Sequence, residues 1–120
     1  MRIFNTSWNW KEGAPLHIEC IRSGDIPEIL ELWRMVPSTN AALGKSDEPC
    51  ELEAFLEKNP ITSLVIKDDL RIVGTILGGY DGRRGYVYHL AVHPSLQEKG
   101  YGKRLLKELL ERFKSLGVVK

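Results

Sequence analysis

One run near the C-terminal end limits the folds open to this chain more than any other segment: Tyr86-Val-Tyr-His-Leu-Ala-Val-His-Pro-Ser-Leu-Gln-Glu-Lys-Gly-Tyr-Gly-Lys103. It begins with a β-prone stretch, breaks at His93-Pro94, and passes through two glycines into a helix. Backbone N–H groups at such a helix start point outward and suit an anion such as a pyrophosphate. The helix is expected over Gly100 to Leu116. Leu105, Leu106, Leu109, Leu110, Phe113 and Leu116 form its apolar stripe, while Lys103, Lys107, Glu108, Glu111, Arg112 and Lys114 take the other faces. Glu108 and Arg112 stand at i, i+4 in the favourable order, and Gly117 supplies a C-cap. Val118-Val119-Lys120 then opens like a further strand.

Upstream, residues 1–15 hold Trp8 and Trp10 without a sustained period and read as an N-terminal extension. Residues 16–120 read as one domain, since 120 residues leave room for one core. Leu16 to Arg22 alternates as a half-buried strand does. Asp25-Ile-Pro-Glu28 predicts a helix start, with Asp25 as cap, Glu28 reaching back and Pro27 in the first turn. That helix is expected to reach about Met35 and to stop at Pro37, leaving Ser38 to Lys45 as a loop. Ser46-Asp-Glu-Pro49 starts a second helix, which Lys58-Asn-Pro60 ends. Thr62–Lys67 and Arg71–Tyr80 predict a hairpin, and after the turn Asp81–Gly85 the run Tyr86–Val92 completes an antiparallel meander. Gly74, Gly78 and Gly79 in the middle strand read as sheet curvature before any ligand role.

Charge and cysteines exclude several classes of partner. A net charge of +1 with no basic block argues against nucleic acid and anionic membranes, so a small molecule is the expected partner. Cys20 and Cys50 have neither C-x-x-C nor metal-ligand spacing, which predicts free thiols and no metal site. With no apolar stretch of bilayer length and no signal-peptide core, the chain reads as cytoplasmic.

The glycine run fails two familiar spellings. A dinucleotide fingerprint needs glycine at Leu105, and a P-loop needs glycine at Gln97 and Ser or Thr at Arg104. What stands is Gln97-Glu-Lys-Gly-Tyr-Gly102 behind the strand Leu90-Ala-Val92 and ahead of an amphipathic helix. This combination resembles the acetyl-coenzyme A motif of the GCN5-related N-acetyltransferases (GNAT), and the order of elements over residues 16–120 is similar to that family's. The segment from Gly78 to His93-Pro94 resembles the small bacterial members.

The resemblance implies an α/β (α+β) fold: a mixed, mainly antiparallel sheet flanked by helices. It implies acetyl transfer from acetyl-CoA to a primary amine of a small molecule or a protein N-terminus. Cofactor contacts would fall on Leu90, Ala91, Val92, Gln97, Glu98, Lys99, Gly100, Tyr101, Gly102 and Lys103. Backbone amides would carry most of the binding, and Lys99 and Lys103 either aid it or form a solvated helix start. The strand Leu90–Val92 would carry a β-bulge and pair with the pantetheine arm, offering an amide to the thioester carbonyl. Many members place a glutamate on this strand; here Tyr88 and His89 are the candidates for base or proton relay, and alternation predicts that one of them faces the cleft. The family continues with a further strand, helix and hairpin, so the chain reads as truncated after a third helix, covering only the N-terminal part of the fold. Two expectations follow from that reading: a homodimer through the vacated strand edge, and, as the alternative function, a non-catalytic protein that binds CoA or oligomerises.

Overall fold

The computed structural model describes residues 16–68 and 71–118. The expected N-terminal extension, the hairpin tip at Asp69-Leu70 and the strand opening at Val119-Lys120 lie outside the described residues. Four strands, β1 (Leu16–Cys20), β2 (Ser63–Asp68), β3 (Arg71–Tyr80) and β4 (Gly85–Val92), form one sheet in the order β1-β2-β3-β4. Each neighbouring pair is antiparallel, so the expected meander is present and β1 extends it beside β2.

Among the described residues four α-helices flank the sheet: α1 (Ile26–Met35), α2 (Pro37–Ala42), α3 (Pro49–Lys58) and α4 (Tyr101–Ser115). Period-two alternation sorts the β2 side chains between two cores. Val65 joins Ile29, Leu32, Trp33 and Leu52 on the α1 and α3 side, whereas Leu64 and Ile66 join Leu105, Leu109 and Phe113 of α4 on the other. The amphipathic stripe of α4 is therefore buried on its Leu105–Leu109–Phe113 line, while Leu110 is 52% exposed. The anticipated Glu108–Arg112 pair forms at 3.0 Å, and Gly117 closes the helix at φ +85°.

Two local expectations are corrected. Pro37 does not lead into a loop, because proline fits the first turn of a helix as well as it ends one, and here it starts α2. Asp25 does not cap α1: its Oδ2 accepts the Arg22 N–H at 2.9 Å and its Oδ1 pairs with Lys67 Nζ at 3.1 Å. Glu28 likewise turns to the sheet and accepts the Ile72 N–H at 2.9 Å. Asp25 is thus shared between a preceding amide and a distant lysine, and Glu28 is taken by a distant amide.

Gly78 has a packing reason. A Cβ there would lie 2.5 Å from both the Thr62 carbonyl oxygen and Leu109 Cδ1, so α4 can seat on β3 only over a bare backbone. Among the described residues no helix is long and apolar enough to cross a membrane.

Candidate functional site

The site grows out of an irregularity in β4. Thr75 faces Ala91 and Leu77 faces Tyr88, which leaves Ile76 alone opposite two residues, His89 and Leu90. This is a β-bulge, and it begins one residue before the segment Leu90–Val92 expected to carry it and takes in that segment's first residue. His89 takes φ +49°, a conformation that costs a non-glycine residue energy and that neighbouring contacts must hold.

Those contacts are present. Below the bulge, Trp33 Nε1 donates to Thr75 Oγ1 at 2.9 Å, and that hydroxyl lies 3.5 Å from the His89 carbonyl oxygen. Beside it, the His89 and Trp33 rings approach to 4.7 Å between centroids. His89 Nε2 lies 2.8 Å from Asp47 Oδ1. Asp47 belongs to the short turn Lys45–Asp47 that precedes α3, and its Oδ2 also accepts the Gly44 N–H at 2.9 Å.

Tyr88 and His89 were expected to face opposite sides, yet both line one cavity of about 330 Å³ together with Ser46, Asp47, Leu52, Phe55 and Leu77. The bulge is the reason, because an extra residue interrupts the alternation. Tyr88 meets the Phe55 ring edge-on at 5.9 Å between centroids. Asp47 escaped the sequence reading: it stood there only as part of a helix start, and no local spacing signals a partner 42 residues away.

At the other end of β4 the chain turns through Pro94–Leu96 into α4. Gln97 Nε2 donates to the Val92 carbonyl at 3.0 Å, which ties the glycine loop to the strand it follows. Glu98 has φ +64° and Gly100 has φ +89°, so left-handed residues alternate with others just ahead of the helix. Such alternation turns successive N–H groups toward one side and forms a concave anion nest. Gly102 and Lys103 add first-turn amides of α4, which an α-helix leaves without acceptors of its own.

These features fit a pyrophosphate. Glu98, Lys99 and Lys103 are all exposed. A Cβ at Gly102 would stand in van der Waals contact with Leu90 Cδ2 and Val92 Cγ2, each at 3.9 Å, so the start of α4 lies against the end of β4. The first turn of α4 thus adjoins Leu90 and Val92, while Ala91 packs into the core on the α1 and α3 side.

His93 belongs to the frame. It is buried, its N–H donates to the Val73 carbonyl at 2.8 Å, and its Nδ1 accepts the Ser95 N–H at 3.1 Å. Burial, and then the charge of Arg71, hold its pKa below the usual histidine value. Asp81 is the turn former expected of it, accepting the Arg83 and Arg84 N–H groups at 2.8 and 2.9 Å.

Comparison with known proteins gives a consistent picture. The model of the acetyltransferase (GNAT) family matches residues 26–120. An acetyltransferase of Photorhabdus laumondii is 32% identical over 105 residues, which cover 88% of this chain and 71% of that protein. The PaiA N-acetyltransferase of Thermoplasma acidophilum, solved in complex with coenzyme A, superposes with a TM-score of 0.74 at 16% identity, over 87% of this chain and 75% of that one. A putative acetyltransferase of Pyrococcus horikoshii gives a TM-score of 0.71 at 17% identity; the match takes in 92% of this chain but only 38% of that one. The two solved structures share the fold described above.

Proposed function

The chain belongs to the acetyltransferase (GNAT) family, and from that premise we propose that it transfers an acetyl group from acetyl-CoA to a primary amine of a small molecule or a protein N-terminus. The observation that carries this reading is the adjacency of two features on one strand. An anion nest opens at the Val92 end of β4, and a histidine on a bulge lines a cavity a few residues earlier.

The nest from Glu98 to Lys103 would hold the pyrophosphate of acetyl-CoA through backbone amides and the positive end of the α4 dipole. Gln97 would fix the nest to Val92. Leu90, Ala91 and Val92 would lie along the pantetheine arm, and a β4 amide directed at the thioester carbonyl would stabilise its developing negative charge. Oxyanion donors of this kind contribute roughly 3–4 kcal/mol where they have been removed.

The attacking amine must be neutral. An α-amine titrates near about 8 and a lysine amine near about 10.4, so a base lowers the barrier for either. Of the two candidates, His89 fits the role of base, because its ring is held on both sides and lines the cavity. Tyr88 serves as a proton relay or as part of the cavity wall.

We also propose a homodimer. Among the described residues β4 is an edge strand whose Tyr86, Val87, Tyr88 and Leu90 are 40–45% exposed, and apolar edges of this kind are satisfied by pairing. Light scattering during gel filtration should give twice the monomer mass; monomer mass at micromolar concentration overturns it.

Calorimetric titration with CoA, followed by thiol release from acetyl-CoA over a panel of amines, tests the main reading. Saturable CoA binding with amine-dependent thiol release supports it. Absence of CoA binding by intact, folded chain defeats it.

A further inference from the structure

We propose that the cavity beside His89 is the acceptor pocket, that Asp47 is the positioning residue for His89 as base, and that the pocket takes a small primary amine on a compact apolar body with no neighbouring carboxylate. The proposal rests on the acetyl-transfer reading above and adds the acceptor class to it.

The positioning argument starts from Asp47. Its two carboxylate oxygens are each engaged, one by the Gly44 N–H at 2.9 Å and one by His89 Nε2 at 2.8 Å, so the side chain cannot rotate without losing a bond. A carboxylate only accepts, which places the proton of a neutral His89 on Nε2 and leaves the Nδ1 lone pair as the basic site. Among the described residues nothing hydrogen-bonds that Nδ1. The His89 and Asp47 side chains are 16% and 10% exposed, so the hydrogen bond between them is largely shielded from water and holds the ring more firmly than one on the surface. The Trp33 ring at 4.7 Å fixes the imidazole from a further direction. The same carboxylate that sets the tautomer also stabilises the imidazolium once a proton arrives.

The acceptor class follows from the rest of the wall. Leu52, Phe55, Leu77 and Tyr88 offer apolar surface, and about 330 Å³ lies near the lower end of the range for small-molecule pockets. Among the described residues, the titratable groups on the wall besides His89 are Asp47 and Tyr88, and no lysine or arginine lines it. An arriving ammonium therefore meets a carboxylate at the polar end. An α-amino acid would bring its own carboxylate against Asp47 with no cation to receive it, a mismatch that polar sites reject strongly.

The step balances as follows. The bound ammonium passes one proton to His89 and on to solvent. The neutral nitrogen attacks the thioester carbon, the C–N bond forms and the C–S bond breaks, and the second nitrogen proton ends on the departing CoA thiolate.

The test uses the full chain with CoA calorimetry as its first arm, so that failure to bind CoA counts against acetyl transfer itself and everything later counts for or against the pocket. With CoA bound, thiol release is compared for 2-phenylethylamine, phenylalanine and spermidine. We expect kcat/KM for 2-phenylethylamine to exceed that for phenylalanine by at least about tenfold and that for spermidine by a similar margin. Asp47→Asn should lower kcat by at least about tenfold and leave KM for acetyl-CoA within about twofold; Asp47→Glu should recover part of the loss. If Asp47→Asn no longer binds CoA, His89→Gln takes its place, and a fall in kcat of at least about tenfold with KM for acetyl-CoA within about twofold is then the expected result. Equal turnover of phenylalanine and 2-phenylethylamine overturns the proposal. So does an unchanged kcat in the variant used, or CoA binding with no turnover of any amine.

Discussion

The indole Nε1 of Trp33 donates to the hydroxyl of Thr75 at 2.9 Å, and neither side chain is exposed to solvent. The bond joins α1 to β3 directly beneath the bulge of β4, so a buried polar pair sits in an otherwise apolar layer at the point where the sheet is most irregular. Thr75→Val keeps the shape and removes the acceptor. The buried indole N–H then lacks a partner, which costs about 1–3 kcal/mol. Urea unfolding at constant m-value should show that loss, and Thr75→Ser should show clearly less of it because the hydroxyl remains.

The contact between α4 and β3 gives a second prediction. At Gly78 an added methyl would meet the Thr62 carbonyl oxygen at 2.5 Å, and a backbone atom cannot move aside as a side chain can. Thr62 Oγ1 also donates to the Gly78 carbonyl at 2.7 Å, which pins the two segments together. Gly78→Ala should therefore destabilise the fold by about 1–3 kcal/mol. Gly24→Ala, where a Cβ meets nothing within 4 Å, should stay within about 0.5 kcal/mol of the parent in the same denaturation series.

The strands and the final helix were legible in the sequence because their periods are intrinsic to the segments. Leu105, Leu109 and Phe113 announce a buried helix face whatever they pack against, and the glycines of the motif announce their loop. Features set by distant partners were not legible. Asp25 and Glu28 spell a capping box, but Lys67 and the Ile72 amide, more than 40 residues away, each claim one oxygen, and the other Asp25 oxygen goes to the Arg22 amide ahead of the helix. The pairing of Asp47 with His89 is of the same kind. The bulge resisted reading for another reason: β4 spells as an uninterrupted strand, and only its register against β3 reveals the extra residue.

If backbone amides build the nest, its glycines should outweigh its lysines. Gly100 holds φ +89°, and a side chain in that conformation costs roughly 1–2 kcal/mol or forces the loop to rearrange. Gly100→Ala should weaken CoA binding by about tenfold or more in calorimetry. Lys99→Ala and Lys103→Ala, each removing an exposed charge, should each change it by about 1 kcal/mol or less, and should matter less still at high salt. The reverse ranking would place the binding energy on side chains and remove the argument for a backbone cradle.

Acid should destabilise the fold through His93. Burial and the Arg71 charge both disfavour its imidazolium in the folded state, so its folded pKa lies below the unfolded value of about 6.5. Protonation at Nδ1 would also break the bond it accepts from the Ser95 N–H. Between the two pKa values the unfolded chain binds more protons than the folded one, so stability rises with pH across that window. This contribution is fully present above about pH 6.5 and is lost progressively as the pH falls toward the folded pKa. Urea midpoints measured from pH 8 down to pH 5 should decline below about pH 6.5 in the parent chain. His93→Gln keeps a side chain that can hydrogen-bond but does not titrate, so its decline over the same range should be shallower. An equally steep decline in that variant would assign the acid sensitivity to other groups.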